Sequence, residues 1–148
     1  MDAPKLKITL LLVVLLSVAV PAQAQTTLPL ATPVTGSVTA GATNTWTFFA
    51  QNGAVLSFAL EAQTDGFDPA MTLTDSSGRE VVSNDDYNYP DSLDALLEAI
   101  TMPRTDTFTL TVRGVNDTSG DYTLMMLPGY SVSAYSDDFS DTNWRSLN

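Results

Sequence analysis

Apolar and polar residues alternate along several short stretches of the chain, which predicts β-strands that bury one face. In residues 44–51, aromatic residues and alanine occupy one face and threonines the other. Residues 56–61 repeat the alternation, and Asn52-Gly53, a dipeptide that favours two-residue β-hairpin turns, lies between the two stretches. We therefore predict that these stretches pair as an antiparallel hairpin and direct their aromatic side chains into one core.

The alternation returns in later stretches, and turn-forming residues separate them. A further short strand is predicted near residues 36–41, and another at the apolar pair that follows a turn at residues 76–78. The inward positions predicted for the later strands are Met71, Leu73, Phe108, Leu110, Val112, Tyr122, Leu124 and Met126, and the apolar pair is Val81-Val82. This spacing predicts an all-β protein, an antiparallel, jelly-roll-like β-sandwich of seven or eight short strands.

Residues 92–102 fit two kinds of secondary structure. Four apolar residues between Leu93 and Ile100 recur at the spacing of a helix, and Ser92 is placed to cap the N-terminus of that helix. A strand fits only if a β-bulge near Glu98 shifts the phase of the alternation. The residues of this stretch leave both interpretations open.

The first 24 residues have the organisation of an export signal. Lys5 and Lys7 precede an apolar run at residues 8–20, and Ala22-Gln23-Ala24 supplies the small residues that a signal peptidase requires. The apolar run is shorter than the roughly 20 residues that span a bilayer. We therefore expect a signal peptide at residues 1–24, a secreted, extracellular protein, and no membrane attachment after cleavage.

The rest of the chain divides by composition into three parts. Residues 25–34 contain two prolines and are expected to form an extended linker. Residues 35–127 hold the alternating stretches and have the length of one domain. Residues 128–148 are expected to be a linker or the truncated start of a second module, so we expect the sequence to be part of a longer, multidomain chain.

The composition excludes several classes of function. The chain carries 17 acidic and 6 basic residues, a net charge of −11, and contains neither cysteine nor histidine. Nucleic acid is excluded as a partner because affinity for phosphates requires clustered lysine and arginine. Thiol nucleophiles, imidazole bases and the ordinary ligands of zinc are absent from the sequence. The catalytic chemistry that stays open is a pair of carboxylates, as in glycoside hydrolases.

Acidic residues concentrate in the predicted loop that contains Asp85, Asp86 and Asp91. Calcium binds six to eight oxygen atoms, which often come from carboxylates and backbone carbonyls of one loop, so these three residues are candidate calcium ligands. The alternative is structural, because Asn and Asp side chains also accept hydrogen bonds from the backbone of their own turn. Asp68, which precedes a proline, is interpreted as a turn residue.

Several short elements follow one another along most of residues 35–127. They are Gly36 and Gly41 before Trp46 and Phe48, then Phe67-Asp68-Pro69, Leu73 and Asp75 with Gly78, Asn84-Asp85-Asp86, Asp91-Ser92, residues 108–112, and Gly120-Asp121-Tyr122-Thr123-Leu124. In this order they resemble the elements of the bacterial pre-peptidase C-terminal domain. Asp106 departs from the pattern because such domains usually carry glycine there.

This resemblance implies a small jelly-roll sandwich that accompanies secreted proteases and other exported proteins and has no catalytic activity of its own. It also implies that residues 92–102 form a strand, and we adopt that prediction. Some members of the family bind calcium, and related domains bind collagen or polysaccharide. The function expected is therefore that of a non-catalytic accessory or binding module, with calcium as the candidate cofactor and an extracellular protein or polysaccharide as the candidate partner.

Two other functions stay open at this point. A small glycan-active enzyme would hold two carboxylates across a cleft, at a separation that depends on its stereochemistry. A purely structural spacer domain would have the same fold and no ligand.

Overall fold

The computed structural model describes residues 26–129, which form a sandwich of two β-sheets. In these residues there are nine strands and one turn of 3₁₀ helix at Val115–Asp117. The strands are β1 (Thr26–Thr27), β2 (Val34–Val38), β3 (Thr43–Ala50), β4 (Val55–Ala62), β5 (Pro69–Thr74), β6 (Glu80–Asn84), β7 (Ala95–Thr101), β8 (Asp106–Gly114) and β9 (Gly120–Pro128).

The five-stranded sheet has the order β1-β3-β8-β5-β6, and the four-stranded sheet has the order β2-β9-β4-β7. Every pair of neighbouring strands is antiparallel except β1 with β3, which is parallel. The predicted all-β sandwich is therefore confirmed. The described residues contain one strand more than the upper prediction of eight, because the two residues of β1 also pair.

The core lies between the two sheets and is filled by the inward residues of the alternating stretches. All the inward positions predicted for β5, β8 and β9 are buried. The ring of Phe48 joins the sheets, because its centroid lies 5.2 Å from that of Phe58 in the opposite sheet and 5.7 Å from that of Phe108 beside it. Val81 and Val82 of β6 pack against this cluster from its margin.

The predicted hairpin at Asn52-Gly53 is wrong. β3 pairs with β1 and β8, whereas β4 pairs with β7 and β9 in the other sheet. Only Gly53 has a positive φ, of 80°, and the N–H of Ala54 donates to the carbonyl of Gln51, which is the geometry of a type II turn. The hairpin turn expected of this dipeptide requires positive φ at both central residues. The chain therefore crosses between sheets, and the predicted meeting of aromatic side chains in one core takes place across the sandwich.

Residues 95–101 form a strand, as the resemblance implied, and a bulge interrupts it near Glu98. Leu56 lies opposite Ile100 but Phe58 lies opposite Leu97, so one residue of β4 faces two residues of β7. Ala99, in the bulge, has a φ of 55°. The helical spacing of the leucines thus arises from a shift of phase within a strand.

The described part of residues 25–34 belongs to the domain as well as leading into it. β1 pairs with β3, and the side chain of Leu28 lies in the core, 2% exposed. The N–H of Leu28 donates to the carbonyl of Thr47 at 2.8 Å. The predicted signal peptide at residues 1–24 and nearly all of residues 128–148 lie outside the described residues. Within 26–129, no helix is both long and apolar enough to cross a membrane.

Candidate functional site

The predicted ligands Asp85, Asp86 and Asp91 lie in the connection between β6 and β7, residues 85–94, which we call the acidic loop. Asp85 and Asp91 are exposed, whereas Asp86 is half-buried. Asp91 lies in a tight turn within the loop, where its N–H donates to the carbonyl of Asn88 at 2.8 Å. The loop therefore separates Asp91, at its outer turn, from Asp85 and Asp86, which directly follow β6.

Hydrogen bonds between backbone and side chains hold the acidic loop in place. The N–H of Tyr87 donates to the carbonyl of Asp94 at 2.6 Å. The carboxylate of Asp94 accepts a hydrogen bond from the N–H of Ala62 at 2.8 Å, which ties the end of the loop to β4. Asn84 accepts from the N–H of Leu96 at 3.3 Å. Asn84 and Asp94 thus accept hydrogen bonds from the backbone of β7 and β4, and not from the backbone of their own turn.

Asp68 lies beside the start of the acidic loop, because β5 and β6 are antiparallel. Met71 is paired with Asn84, so the residues just before β5 lie next to those just after β6. The backbone of Asp68 is fixed from the other side, where its carbonyl accepts from the N–H of Val115 at 2.8 Å and its N–H donates to the hydroxyl of Thr118 at 3.2 Å. Asp68 therefore lies between the turn at residues 65–66 and the start of β5, and its side chain belongs to the same region as Asp85 and Asp86.

The carboxylates of Asp68 and Asp86 each contain a buried oxygen atom, Oδ1, that has no hydrogen-bond partner. Burial raises the pKa of Asp68, and the negative charges of Asp86 and Asp85 raise it further. The positive charge of Arg113 opposes this effect only in part. Buried polar atoms are nearly always hydrogen-bonded, so two acceptors left without a donor in one small region suit a cation as their partner.

The acidic side chains do not by themselves complete a metal site. Within residues 26–129, no three acidic side chains are grouped closely enough to hold a metal ion together. A calcium ion at this position would take its remaining ligands from backbone carbonyls and water, both of which calcium accepts. Asp68 was not among the ligands predicted from sequence, because its proximity to Asp86 depends on the pairing of β5 with β6.

Two aromatic side chains project from the acidic loop. Tyr87 is 53% exposed and Tyr89 is 73% exposed. Phe49, which is 66% exposed, is on the outer face of β3, in the five-stranded sheet. The acidic loop therefore carries two exposed tyrosines together with Asp86, whose Oδ1 is buried and unpartnered.

A cavity of about 250 Å³ lies elsewhere, between the turn that precedes β3 and the turn that follows β8. Its lining contains one carboxylate, Asp117, and one guanidinium, Arg113. Hydrolysis of a glycosidic bond by paired carboxylates needs two such groups across one cleft. This cavity does not supply the pair.

No protein-family model matches the sequence, and no curated protein sequence matches it either. Comparison with solved structures identifies similar folds. The pre-peptidase C-terminal domain of a collagenase from Bacillus anthracis aligns with 71% of this chain and 96% of its own length, at a TM-score of 0.57 and 15% identity. The described domain has the fold of a pre-peptidase C-terminal domain. This confirms, at the level of the fold, the resemblance found in the sequence.

Two other solved structures align less closely with this pre-peptidase C-terminal fold. The periplasmic inhibitor of g-type lysozyme from Aeromonas hydrophila covers 68% of the chain and 94% of itself, with a TM-score of 0.49 and 13% identity. The Yersinia pseudotuberculosis-derived mitogen covers 75% of the chain and 90% of itself, with a TM-score of 0.48 and 14% identity.

Proposed function

We propose that this protein is an exported, non-catalytic binding module that accompanies the other parts of a longer chain. The acidic loop is its binding surface, and calcium at the base of that loop fixes its shape. The observation that carries the proposal is the pair of unpartnered, buried carboxylate oxygens of Asp68 and Asp86, next to a loop that also carries two exposed tyrosines. The likeness of the fold to the pre-peptidase C-terminal domain of a collagenase supports it.

The proposed calcium ligands are the carboxylates of Asp68 and Asp86, with backbone carbonyls and water as the other ligands, and Asp85 contributes its nearby negative charge. The charges of Asp85 and Asp86 act unfavourably on the partly buried carboxylate of Asp68, and a divalent cation would convert this repulsion into attraction. The ion would also satisfy the two oxygens that no protein donor reaches. Asp91, which the sequence also predicts as a ligand, is exposed at the outer turn of the loop, and we place it outside the proposed site.

The proposed partner is an extracellular polysaccharide or protein that contacts Tyr87 and Tyr89. A tyrosine ring has a broad apolar face and a polar tip, which suits both stacking on a sugar ring and packing against a protein surface. Since the hydrogen bonds of the loop already restrict its backbone, little additional conformational entropy would be lost on binding.

The experiment is a binding assay of the full exported chain against a panel of insoluble polysaccharides and fibrillar extracellular proteins, in calcium and in chelator. We expect retention on one class of ligand, weaker in chelator, and loss of retention in the double variant Tyr87→Ser, Tyr89→Ser. The control is Phe49→Ser, which removes an equally exposed aromatic ring from the outer face of the five-stranded sheet. Equal retention of both variants would contradict the assignment of the loop.

The glycan-active enzyme remains an alternative function, but no observation favours it, since the described cavity lacks paired carboxylates. Release of reducing sugars from any glycan of the same panel would contradict the non-catalytic proposal. A spacer domain would be indicated by the absence of retention on every ligand, with and without calcium.

A further inference from the structure

The cavity of about 250 Å³ borders the ends of two neighbouring strands, β3 and β8. Thr43, at the start of β3, is paired with Arg113, near the end of β8, and both residues line the cavity. Val112 points into the core, so the next side chain, that of Arg113, is on the outer face of the five-stranded sheet. Thr43, directly opposite, is on the same face. The cavity therefore lies beside the outer face of this sheet, at one of its ends.

A tight turn after β8 forms one wall of the cavity. The N–H of Val115 donates to the carbonyl of Asp68 at 2.8 Å, and the N–H of Thr118 donates to the carbonyl of Val115 at 3.0 Å. A Cβ atom at Gly114 would overlap the carbonyl oxygen of Thr118, so this close approach of two backbone segments requires glycine. The wall is therefore fixed by contacts within the protein and does not depend on a ligand for its shape.

Asn116 and Asp117, in the same turn, both have a left-handed backbone. Their φ angles are 49° and 60°, and both residues line the cavity. This conformation is uncommon for residues other than glycine, and such residues cluster at sites that bind ligands. The unfavourable backbone at two consecutive positions places an amide and a carboxylate in the wall of one cavity.

The lining carries two opposite charges that are not paired with each other. Of the three arginines in the described residues, Arg79 and Arg104 form ion pairs with Asp75. Within residues 26–129, neither the guanidinium of Arg113 nor the carboxylate of Asp117 has an ion pair or a hydrogen bond. The rest of the lining is uncharged and consists of Gly41, Ala42, Thr43, Gly114 and Asn116.

We propose that this cavity binds a small polar zwitterion, a free α-amino acid, through the opposite charges of Arg113 and Asp117. The planar guanidinium of Arg113 presents N–H groups in the geometry that a carboxylate accepts, and the carboxylate of Asp117 accepts hydrogen bonds from the ammonium group. A ligand with a carboxylate alone would place a second negative charge near Asp117. A zwitterion has no net charge, so it also avoids repulsion by a protein whose net charge is −11.

The size and lining of the cavity restrict the side chain of the amino acid. Pockets for drug-sized ligands have volumes of roughly 300–1,000 Å³, and this cavity is smaller. Its largest apolar side chain is that of Ala42, which offers little surface to a leucine or phenylalanine ligand. Glycine, alanine and serine therefore fit best. The site is separate from the proposed calcium site, because no residue of the acidic loop lines the cavity.

The test is an NMR titration of the full exported chain in chelator, which follows backbone amide signals and suits weak ligands. The probes are glycine, L-alanine and L-serine, with acetate and methylammonium as ligands that carry one charge each. We expect at least one amino acid to bind at least about tenfold more tightly than either single-charge probe, because those probes fill only one of the two charged positions. The largest shifts should occur at residues 113–117.

Three variants locate the site. We expect Arg113→Gln and Asp117→Asn each to weaken the binding of that amino acid at least about tenfold, because each removes one charge-assisted hydrogen bond. Both side chains are exposed and asparagine tolerates a left-handed backbone, so both variants should keep the fold. The control is Glu98→Gln, which removes the same charge as Asp117→Asn from an exposed residue of β7 in the other sheet and should bind as the parent does.

Three results would overturn the proposal. One is the absence of binding by all three amino acids up to tens of millimolar. Another is binding of acetate, or of glucuronate as a representative acidic sugar, as tight as that of the amino acids, which would indicate a site for a carboxylate alone. The third is unchanged affinity in either Arg113→Gln or Asp117→Asn.

Discussion

Asp75 shows at the scale of one residue how this cysteine-free domain fixes its turns. Asp75 is 2% exposed, and its carboxylate accepts hydrogen bonds from the N–H groups of Ser77 and Arg79 at 3.0 and 3.1 Å. Arg79 and Arg104 form ion pairs with it at 3.3 and 3.4 Å. The neighbouring Asp106 accepts from the hydroxyl of Ser76 at 2.8 Å. Asp106, the departure from the family pattern, therefore fastens the same turn, and its φ is not positive, so glycine is not needed there.

The first prediction concerns the pH dependence that Asp75 confers. The hydroxyl of Ser77, followed by the N–H groups of Arg79 and Ser77 and the charge of Arg104, lowers the pKa of Asp75 to about 2. A lowered pKa stabilises the fold above the unfolded value of about 3.9, and this stabilisation is lost as the pH falls toward 2. We expect Asp75→Asn to lower the free energy of unfolding at pH 7 and to make little difference at pH 2, as measured by urea denaturation. An equal loss at both pH values would contradict the role of the charge.

The second prediction concerns the buried hydroxyl of Tyr122, which accepts hydrogen bonds from Nε1 of Trp46 at 2.9 Å and Nδ2 of Asn44 at 3.1 Å. The Tyr122→Phe variant leaves the indole N–H buried without an acceptor, and we expect it to lose about 1–3 kcal/mol of stability. Tyr87→Phe is the matched control, because Tyr87 is 53% exposed. Equal stability of the two variants would show that the hydroxyl of Tyr122 contributes nothing.

At the scale of the elements, local pattern predicted the strands and their faces better than their partners. The inward faces of β3, β5, β8 and β9 follow from the alternation of apolar and polar residues. Successive side chains of a strand point to opposite faces, so a half-buried strand carries an apolar residue at every second position. The partner of β3 does not follow, because the type of turn depends on φ at Asn52 as well as at Gly53. The bulge in β7 was foreseen only as an alternative, since a shifted phase and a helix produce the same spacing of leucines.

The third prediction concerns Ser57, whose hydroxyl accepts from the N–H of Ala99 in the bulge at 2.9 Å and donates to the carbonyl of Gly129. Ser57→Ala leaves both backbone groups without this partner, so we expect a loss of about 1–3 kcal/mol in the free energy of unfolding. The control is Ser83→Ala, because the exposed hydroxyl of Ser83 donates to the exposed carboxylate of Glu80 at 2.8 Å. Thermal melts of the two variants that coincide would refute the role of Ser57 in the bulge.

At the scale of the whole molecule, the sandwich brings together carboxylates that are distant in the sequence. The acidic loop was visible as a cluster of aspartates, so Asp85 and Asp86 were predicted as candidates from sequence. The contribution of Asp68 was not, because it depends on the pairing of β5 with β6 and on the turn that holds its backbone. The sequence also could not show which carboxylate oxygens lack a donor, since that depends on the packing of the finished fold.

The measurement that tests the proposed binding module most directly is a thermal melt of the full exported chain in chelator and in increasing calcium at neutral pH, on the parent and on Asp68→Asn and Asp91→Asn. Calcium at about 100 times its dissociation constant should stabilise the parent by about 2.7 kcal/mol, a rise of several degrees in Tm. Asp68→Asn should melt at a higher temperature than the parent in chelator, because it removes a partly buried and repelled charge, and should no longer respond to calcium. Asp91→Asn, at the outer turn, should respond as the parent does. A parent melt unchanged up to tens of millimolar calcium, or a full calcium response in Asp68→Asn, would contradict the proposed site.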